Sequence, residues 1–420
     1  LLVMKYSGFF AENLNLLFGA AQSSLRIPVQ RFLLPLGISF YTLSAIGYMA
    51  DVYWKKIEPE KNIAKLALFL SFFPIIMEGP ICMYSDTAET LTKGEDIRSE
   101  NLVRGYMRIG WGLIKKVVIA DRLYVVVQTL FDGYASYHGV MIVVAAVSYT
   151  VQLYMEFSGC MDIVIGSAEC FGVTLPENFA QPFVSKNASE FWRRWHISLG
   201  RWFKTYIFYP VSMSKLTRKW NRFAKKHTSK YVKLMVASAI ALFPVWVCNG
   251  FWHGASWSYL FYGMYYFVVI MIELMLEPAV KKLCEAWKIT EATTWWNVLR
   301  ILKTWVIIFT GELFFRADTL SIGMHMFASL FRDFELHRLW DGTLLSLGLG
   351  RVEMGIVLAS LLFVGVVNHF RERKIYVRGV ILHKRLPVRW LVYLALIFVV
   401  IIFGAYGPGY QEVDLIYAGF

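Results

Sequence analysis

The sequence predicts an all-α fold, a polytopic membrane helix bundle, on three observations. Hydrophobic residues make up 57% of the 420 and charged residues only 17%. A soluble domain carries about 45–50% apolar and about 25% charged residues. The apolar residues are gathered into long runs, the clearest at 33–50, 65–81, 234–247, 259–276, 352–367 and 390–406. Several approach the roughly 20 residues that cross a bilayer as a helix. The short alternating segments of a membrane β-barrel are absent from the pattern.

Taken in order, the spans are expected near 1–18, 33–50, 63–81, 104–130, 139–171, 234–250, 255–277, 297–315, 352–370 and 388–406. Segment 139–171 is too long for one ordinary pass, and it holds Gln152, Glu156, Asp162 and several glycines. It reads as two short passes or as a broken, re-entrant helix beside a cavity, because irregular backbone at membrane depth needs protein or water around it. The whole of 1–420 reads as one membrane domain. The sequence opens on Leu1 inside an apolar stretch, with no initiator methionine or basic leader, so further N-terminal helices are expected before it.

Charge is unevenly placed. The formal net charge is +13, and residues 186–233 hold 13 Lys and Arg against the single acid Glu190. Residues 371–389 add seven basic residues against Glu372. Short basic loops mark the cytoplasmic side. Residues 86–100, with Asp86, Glu89, Glu95, Asp96 and Glu100 against Lys93 and Arg98, should by the same rule face outward. Strict alternation of spans does not reconcile those two placements.

Within the basic segment, residues 193–209 form an interfacial amphipathic stretch ended by Pro210. Trp195, Trp202, Phe203, Tyr206 and Tyr209 alternate with Arg193, Arg194, Arg201 and Lys204. The aromatic face should look inward and the basic groups outward. The segment anchors to anionic lipid headgroups, and could also dock an acidic carrier or anionic donor. A nucleic-acid partner is not expected, since the basic residues flank membrane helices.

Two tryptophan–histidine pairs carry the chemistry. His196 lies in Arg193-Arg194-Trp195-His196, and His253 in Phe251-Trp252-His253-Gly254. An imidazole in an apolar setting is costly and therefore a candidate site. Gly250 and Gly254 flank the second pair and permit close backbone approach. Aromatic neighbours favour the neutral imidazole that a general base requires. Two readings of His253 stand: a base, or a core histidine satisfying a helix-end carbonyl. For His196 the surface reading is the stronger of the two, because an amphipathic ring suits a membrane interface.

No G-x-S-x-G elbow, P-loop, or zinc spacing occurs, and no metal or tightly bound cofactor is expected. The five cysteines read as small hydrophobes. A rival function remains, an ion-coupled transporter or flippase using Glu156, Asp162 and Asp121 as membrane-embedded ionisable groups.

The run Asn178-Phe179-Ala180-Gln181-Pro182-Phe183, followed by Glu190-Phe191-Trp192-Arg193-Arg194-Trp195-His196-Ile197-Ser198-Leu199, resembles a signature of the membrane-bound O-acyltransferases. Gly250-Phe251-Trp252-His253-Gly254-Ala255-Ser256-Trp257 resembles the second signature of the same family. Gly79-Pro80-Ile81, Phe157-Ser158-Gly159 and Phe314-Phe315-Arg316-Ala317 add supporting matches. The resemblance is greatest to the bacterial branch that acetylates alginate and peptidoglycan, with the teichoic-acid D-alanylation protein a near relative. Departures include Glu156 and Thr205, where family members often carry Asp, and Val211-Ser212 after the proline.

The resemblance implies His253 as the catalytic histidine and His196 as its cytoplasmic-side support. It implies a central tunnel in a bacterial cytoplasmic-membrane protein, a thioester donor (acyl-CoA or an acylated carrier protein), an extracytoplasmic hydroxyl acceptor, and a secreted SGNH-type partner. Trp252, Trp257, Asn249, Trp195, Glu156 and Asp162 are then expected along the substrate channel. Arg193, Arg194, Arg201 and Lys204 are expected to dock the donor.

Overall fold

The structure, a computed structural model, describes residues 2–30, 32–94, 98–407, 409, 410 and 413. Among them every regular element is helical. Among the described residues five helices are long and apolar enough to cross a membrane: Val140–Cys170, Lys230–His253, Trp257–Ala286, Arg351–Glu372 and Leu386–Phe403.

Val140–Cys170 is the axis of the bundle. It is one unbroken helix of 31 residues, so the expected pair of short passes or break within 139–171 is corrected. At about 1.5 Å per residue it is about 46 Å long. The glycines that suggested a break are packing features. The Ser99–Leu113 helix crosses here, and a Cβ on Gly112 would lie 2.5 Å from the Gly159 carbonyl oxygen. A Cβ on Gly105 would lie 2.5 Å from the Gly166 carbonyl oxygen. Small residues seven apart on both helices let the backbones meet. Ser99–Leu113 continues through a π-helical stretch, Ile114–Ala120, into Asp121–Asp132. That stretch places Lys115 and Lys116 against the axis helix.

The expected pass at 63–81 is also corrected. It is two short helices, Ile63–Ser71 and Phe73–Ile76, followed by a buried turn. Pro74 has no N–H to continue the first helix and instead opens the second.

The amphipathic stretch runs as Ala188–Arg194, Ile197–Phe203, the π-helical Lys204–Phe208, and Tyr209–Ser212. Pro210 sits in the first turn of the last piece, so it does not end the segment where expected. The aromatic face looks inward: Trp202 Nε1 donates to the Leu43 carbonyl at 2.8 Å and the Tyr206 hydroxyl to Asp51 at 2.6 Å. Arg193, Arg201 and Lys204 are exposed.

The outward placement of residues 86–100 is corrected as well. Arg201 makes a two-pronged bond to Asp86, at 2.6 and 2.9 Å. Arg194 reaches Glu372 at 2.9 and 3.1 Å, and Arg371 reaches Glu177 at 3.2 Å. The acidic loop, the basic segment and the 371–389 loop therefore share one face. Charge counting assigns each loop by its own sum, whereas here the acids of one loop neutralise the bases of another. Glu95 and Asp96, part of that expectation, lie outside the described residues. In a cysteine-free background, single cysteines at Glu89 and Met213, both exposed, should react with a membrane-impermeant maleimide from the same side. Labelling from opposite sides would refute the arrangement.

Candidate active site

His253 is the last residue of Lys230–His253. A helix ends with carbonyls that have no intrahelical donor. Here the Phe251 carbonyl accepts from the Tyr6 hydroxyl at 2.7 Å, and the Trp252 carbonyl from Lys5 Nζ at 2.7 Å. Lys5 also donates to Ser39 Oγ at 3.0 Å. Helix-end carbonyls are thus served by Lys5 and Tyr6, and that work does not require the imidazole. The His253 ring, 4% exposed, stands in an aromatic box. Centroid separations are 5.0 Å to Trp252, 5.0 Å to Phe315, 5.9 Å to Tyr262 and 6.2 Å to Tyr259. Asn249, one turn earlier, shares its helix face. Its Oδ1 is buried with no hydrogen-bond partner among the described residues.

His196 occupies the break between Ala188–Arg194 and Ile197–Phe203. Its φ of 46° and ψ of 53° are left-handed, a conformation in which a non-glycine residue is worth a functional question. Asn178 holds this turn. Its Oδ1 accepts from the Ser198 amide at 3.1 Å and hydroxyl at 2.9 Å, and lies 3.2 Å from His196 Nδ1. Ser198 Oγ in turn accepts from the Ile81 amide at 3.0 Å. Three separate sequence motifs, around Asn178, His196 and Pro80, are therefore one hydrogen-bonded knot.

The two histidines converge on Trp252. Its ring is 5.5 Å from His196 and 5.0 Å from His253, centroid to centroid. The indole Nε1 donates to the Ser39 carbonyl at 3.3 Å, which fixes its plane.

A cavity of about 1010 Å³ lies near His196, lined in part by Arg104, Arg108, Trp111, Phe179 and Arg371. Phe179 is its inner wall. The Phe179 ring is 5.1 Å from Phe157, and Phe157 is 4.8 Å from His196. Two aromatic rings, Phe179 and then Phe157, lead from this cavity to the imidazole.

Of the other expected channel residues, Asp162 lines this cavity too, beside Arg108. Trp195 packs between Phe179 and Phe191, at 5.1 and 5.4 Å. Trp257 is 55% exposed and donates to Asn13 Oδ1 at 3.0 Å. Glu156 faces Lys116 at 3.2 Å, and Asp162 faces Lys115 at 2.5 Å and Arg108 at 3.0 Å. Arg194 and Arg201 are engaged in the ion pairs described above, while Arg193 and Lys204 are exposed. Among the described residues, no group of three or more His, Cys, Asp or Glu could hold a metal ion.

Sequence reasoning missed Asn178, Lys5, Tyr6, Tyr262 and Glu312 as parts of this site. Two of these carried a readable signal: Asn178 opens the first signature run, and Glu312, whose Oε1 accepts from the Tyr262 hydroxyl at 2.9 Å, is a lone acid inside 297–315.

The fold and site define an integral membrane helix bundle that buries two histidines against one tryptophan. Residues 59–225 match the model of MBOAT, the membrane-bound O-acyltransferase family. The probable alginate O-acetylase AlgI of Pseudomonas syringae pv. tomato is 30% identical over 375 residues, covering 88% of this chain and 65% of that protein. The like-named protein of Pseudomonas putida is 30% identical over 377 residues, covering 88% of this chain and 70% of its own length. The peptidoglycan O-acetyltransferase of Helicobacter pylori is 29% identical over 343 residues, covering 76% of this chain and 59% of that protein. This chain belongs to the membrane-bound O-acyltransferase family. It spans 65% and 59% of the Pseudomonas syringae and Helicobacter pylori proteins respectively.

Proposed function

We propose that this chain is an O-acyltransferase of the bacterial cytoplasmic membrane. It moves an acetyl group from a cytoplasmic thioester, acetyl-CoA or an acylated carrier protein, to a hydroxyl of an extracytoplasmic polysaccharide or relay protein. The observation that carries this reading is the meeting of both histidine motifs at Trp252 inside a dry aromatic core.

His253 takes the proton of the acceptor hydroxyl as its oxygen attacks the thioester carbonyl. The carbon–sulfur bond breaks, and the imidazolium returns the proton to the leaving thiolate. Asn249, on the same helix face, is placed to orient the imidazole or polarise the carbonyl. General-base assistance of this kind contributes about 10²–10⁴-fold, and positioning in a dry site the remainder.

His196 supports the reaction from the side of the cavity behind Phe157 and Phe179. The donor approaches the basic face. Arg193 and Lys204 are exposed there for contact, whereas Arg194 and Arg201 brace the platform through Glu372 and Asp86. A secreted SGNH-type protein is the partner that would receive or pass on the acyl group outside. The rival transporter reading gave Glu156, Asp162 and Asp121 to ion coupling. Their pairing with Lys115, Lys116 and Arg108 gives each of them a structural counter-charge instead.

The test is ester analysis of cell-wall polysaccharide and exopolysaccharide in a deletion strain. Loss of O-acetyl esters, restored by the wild-type gene, is the expected result. Loss of D-alanyl esters would reassign the acyl group. Unchanged esters with an altered proton or sodium flux would favour the transporter.

A further inference from the structure

The cavity of about 1010 Å³ has a polarity that acyl transfer does not explain. Three long helices line it, and each carries an arginine at one end of it and an apolar side chain at the other. Ser99–Leu113 contributes Arg104 and, seven residues on, Trp111. Arg351–Glu372 contributes Arg371 and, eight residues back, Phe363. Leu386–Phe403 contributes Arg389 and, seven residues on, Leu396. At about 1.5 Å per residue, each apolar position stands about 10–12 Å along the helix from its arginine. The cationic ends coincide. Arg371 and Arg389 sit at the facing ends of neighbouring helices, and Arg378, between them in sequence, donates to the Arg104 carbonyl at 3.1 Å. At the apolar end the Trp111 and Phe363 rings meet at 5.7 Å.

Some of these cations are already spent. Arg108 and Arg371 bind Glu177, and Arg378 binds Glu169. Two are not. Arg104 has only a 3.7 Å pair with Glu100, and the two side chains are 48% and 76% exposed, an arrangement worth little. Arg389 donates its Nε to the Tyr393 hydroxyl at 3.0 Å. Among the described residues it has no acidic partner, and its terminal nitrogens make no hydrogen bond. Leu386–Phe403 has no buried residue, so this wall stands at the perimeter of the bundle, where lipid is the solvent.

An amphiphile with a phosphate at one end and hydrocarbon at the other matches this lining. A guanidinium presents paired donors to phosphate oxygens. A headgroup bearing an ammonium would meet the same guanidiniums with like charge. A pantetheine arm would carry its amides past Phe363, Val367, Val392 and Leu396, which offer them no partner. Basic pockets between membrane helices on the cytoplasmic side hold anionic lipid heads.

We propose that the cavity between Ser99–Leu113 and the 351–403 hairpin is a binding site for one anionic phospholipid, with its phosphate at the Arg104 and Arg389 end and an acyl chain running to Trp111 and Phe363. The site stands whether or not His253 is the general base.

The test is native mass spectrometry of the full chain, purified in detergent and exchanged into mixed micelles of phosphatidylglycerol and phosphatidylcholine. The wild type should retain one phosphatidylglycerol in preference to phosphatidylcholine. Arg389→Gln should lower that retention about 10-fold, the worth of a charge-assisted hydrogen bond. Arg104→Gln, on another helix, should give a similar loss and serves if the first variant fails to fold. Arg385→Gln, exposed and outside the cavity, should leave retention unchanged. Glycerol phosphate, a head without chains, and coenzyme A should not displace the lipid. Displacement by either would show that phosphate alone is recognised, and the lipid assignment would fall. Equal retention of the two lipids, or an equal loss in Arg385→Gln and Arg389→Gln, would also overturn the site.

Discussion

His253→Ala is expected to abolish detectable acyl transfer while leaving an inserted, folded protein. The loss should be at least about 10²–10⁴-fold, the contribution of a positioned base, and larger if the imidazole also aligns the thioester. The fold should survive because His253 ends its helix and neighbours supply that end's capping. Tyr6 and Lys5 hold the Phe251 and Trp252 carbonyls. The box walls Phe315 and Tyr262 are held to each other at 4.9 Å without the imidazole. His196→Ala should act differently. His196 sits in a left-handed turn that Asn178 fastens through Ser198. An alanine there is strained, so activity should fall with some loss of thermal stability. The checks are ester yield per milligram of membrane protein and the unfolding midpoint in detergent. Wild-type ester yield from a well-folded His253→Ala protein would remove His253 from the mechanism.

What could be read in the sequence divides along a physical line. The helical class followed from composition and run length, because hydrocarbon burial is a property of each segment alone. The two histidines were visible as chemically expensive residues in apolar runs. Their meeting at Trp252 was not, since nothing in a linear pattern states that residues 57 positions apart share one indole. The errors came from reading local signals without their partners. Gly159 and Gly166 looked like a helix break, but each faces a glycine on Ser99–Leu113. Glu156 looked like a channel group, but Lys116 from the neighbouring π-helical stretch approaches it, whereas Asp162 does line the cavity while also facing Lys115. The acidic loop beginning at Asp86 looked external, but Asp86 is the counter-charge of Arg201. In each case the decisive residue lay on another element. Glu312 is the converse, since a lone acid in an apolar run could have been singled out by the criterion applied to His253.

The largest effect on stability is expected at Asp162, a cavity-lining carboxylate that also centres a buried ion-pair cluster. Lys115 Nζ lies 2.5 Å from one of its oxygens and Arg108 Nε 3.0 Å from the other. The side chains of all three are less than 10% exposed. Breaking a buried pair leaves a charge out of water with nothing to offset it, a cost of about 3–5 kcal/mol. The two cations are unequally insured. Arg108 keeps a two-pronged bond to Glu177, at 2.8 and 2.6 Å. Among the described residues Lys115 keeps only neutral partners, the Ser158 carbonyl and hydroxyl, both at 3.1 Å, and the Trp111 ring at 6.0 Å. Asp162→Ala should therefore lose most of its folded, monodisperse yield, since the whole stability of a domain is about 5–15 kcal/mol. Lys115→Met should be tolerated better, because Asp162 retains Arg108. The informative protein is the double variant Asp162→Ala, Lys115→Met. Removing both charges relieves the unpaired lysine, so the pair should be more stable than Asp162→Ala alone, a non-additivity that neighbours in one network show and distant sites do not. Yield and unfolding midpoint read the result. A double variant no better than Asp162→Ala would mean that the lost carboxylate matters through something other than Lys115. An undiminished single variant would mean that the charges at this crossing are solvated rather than buried.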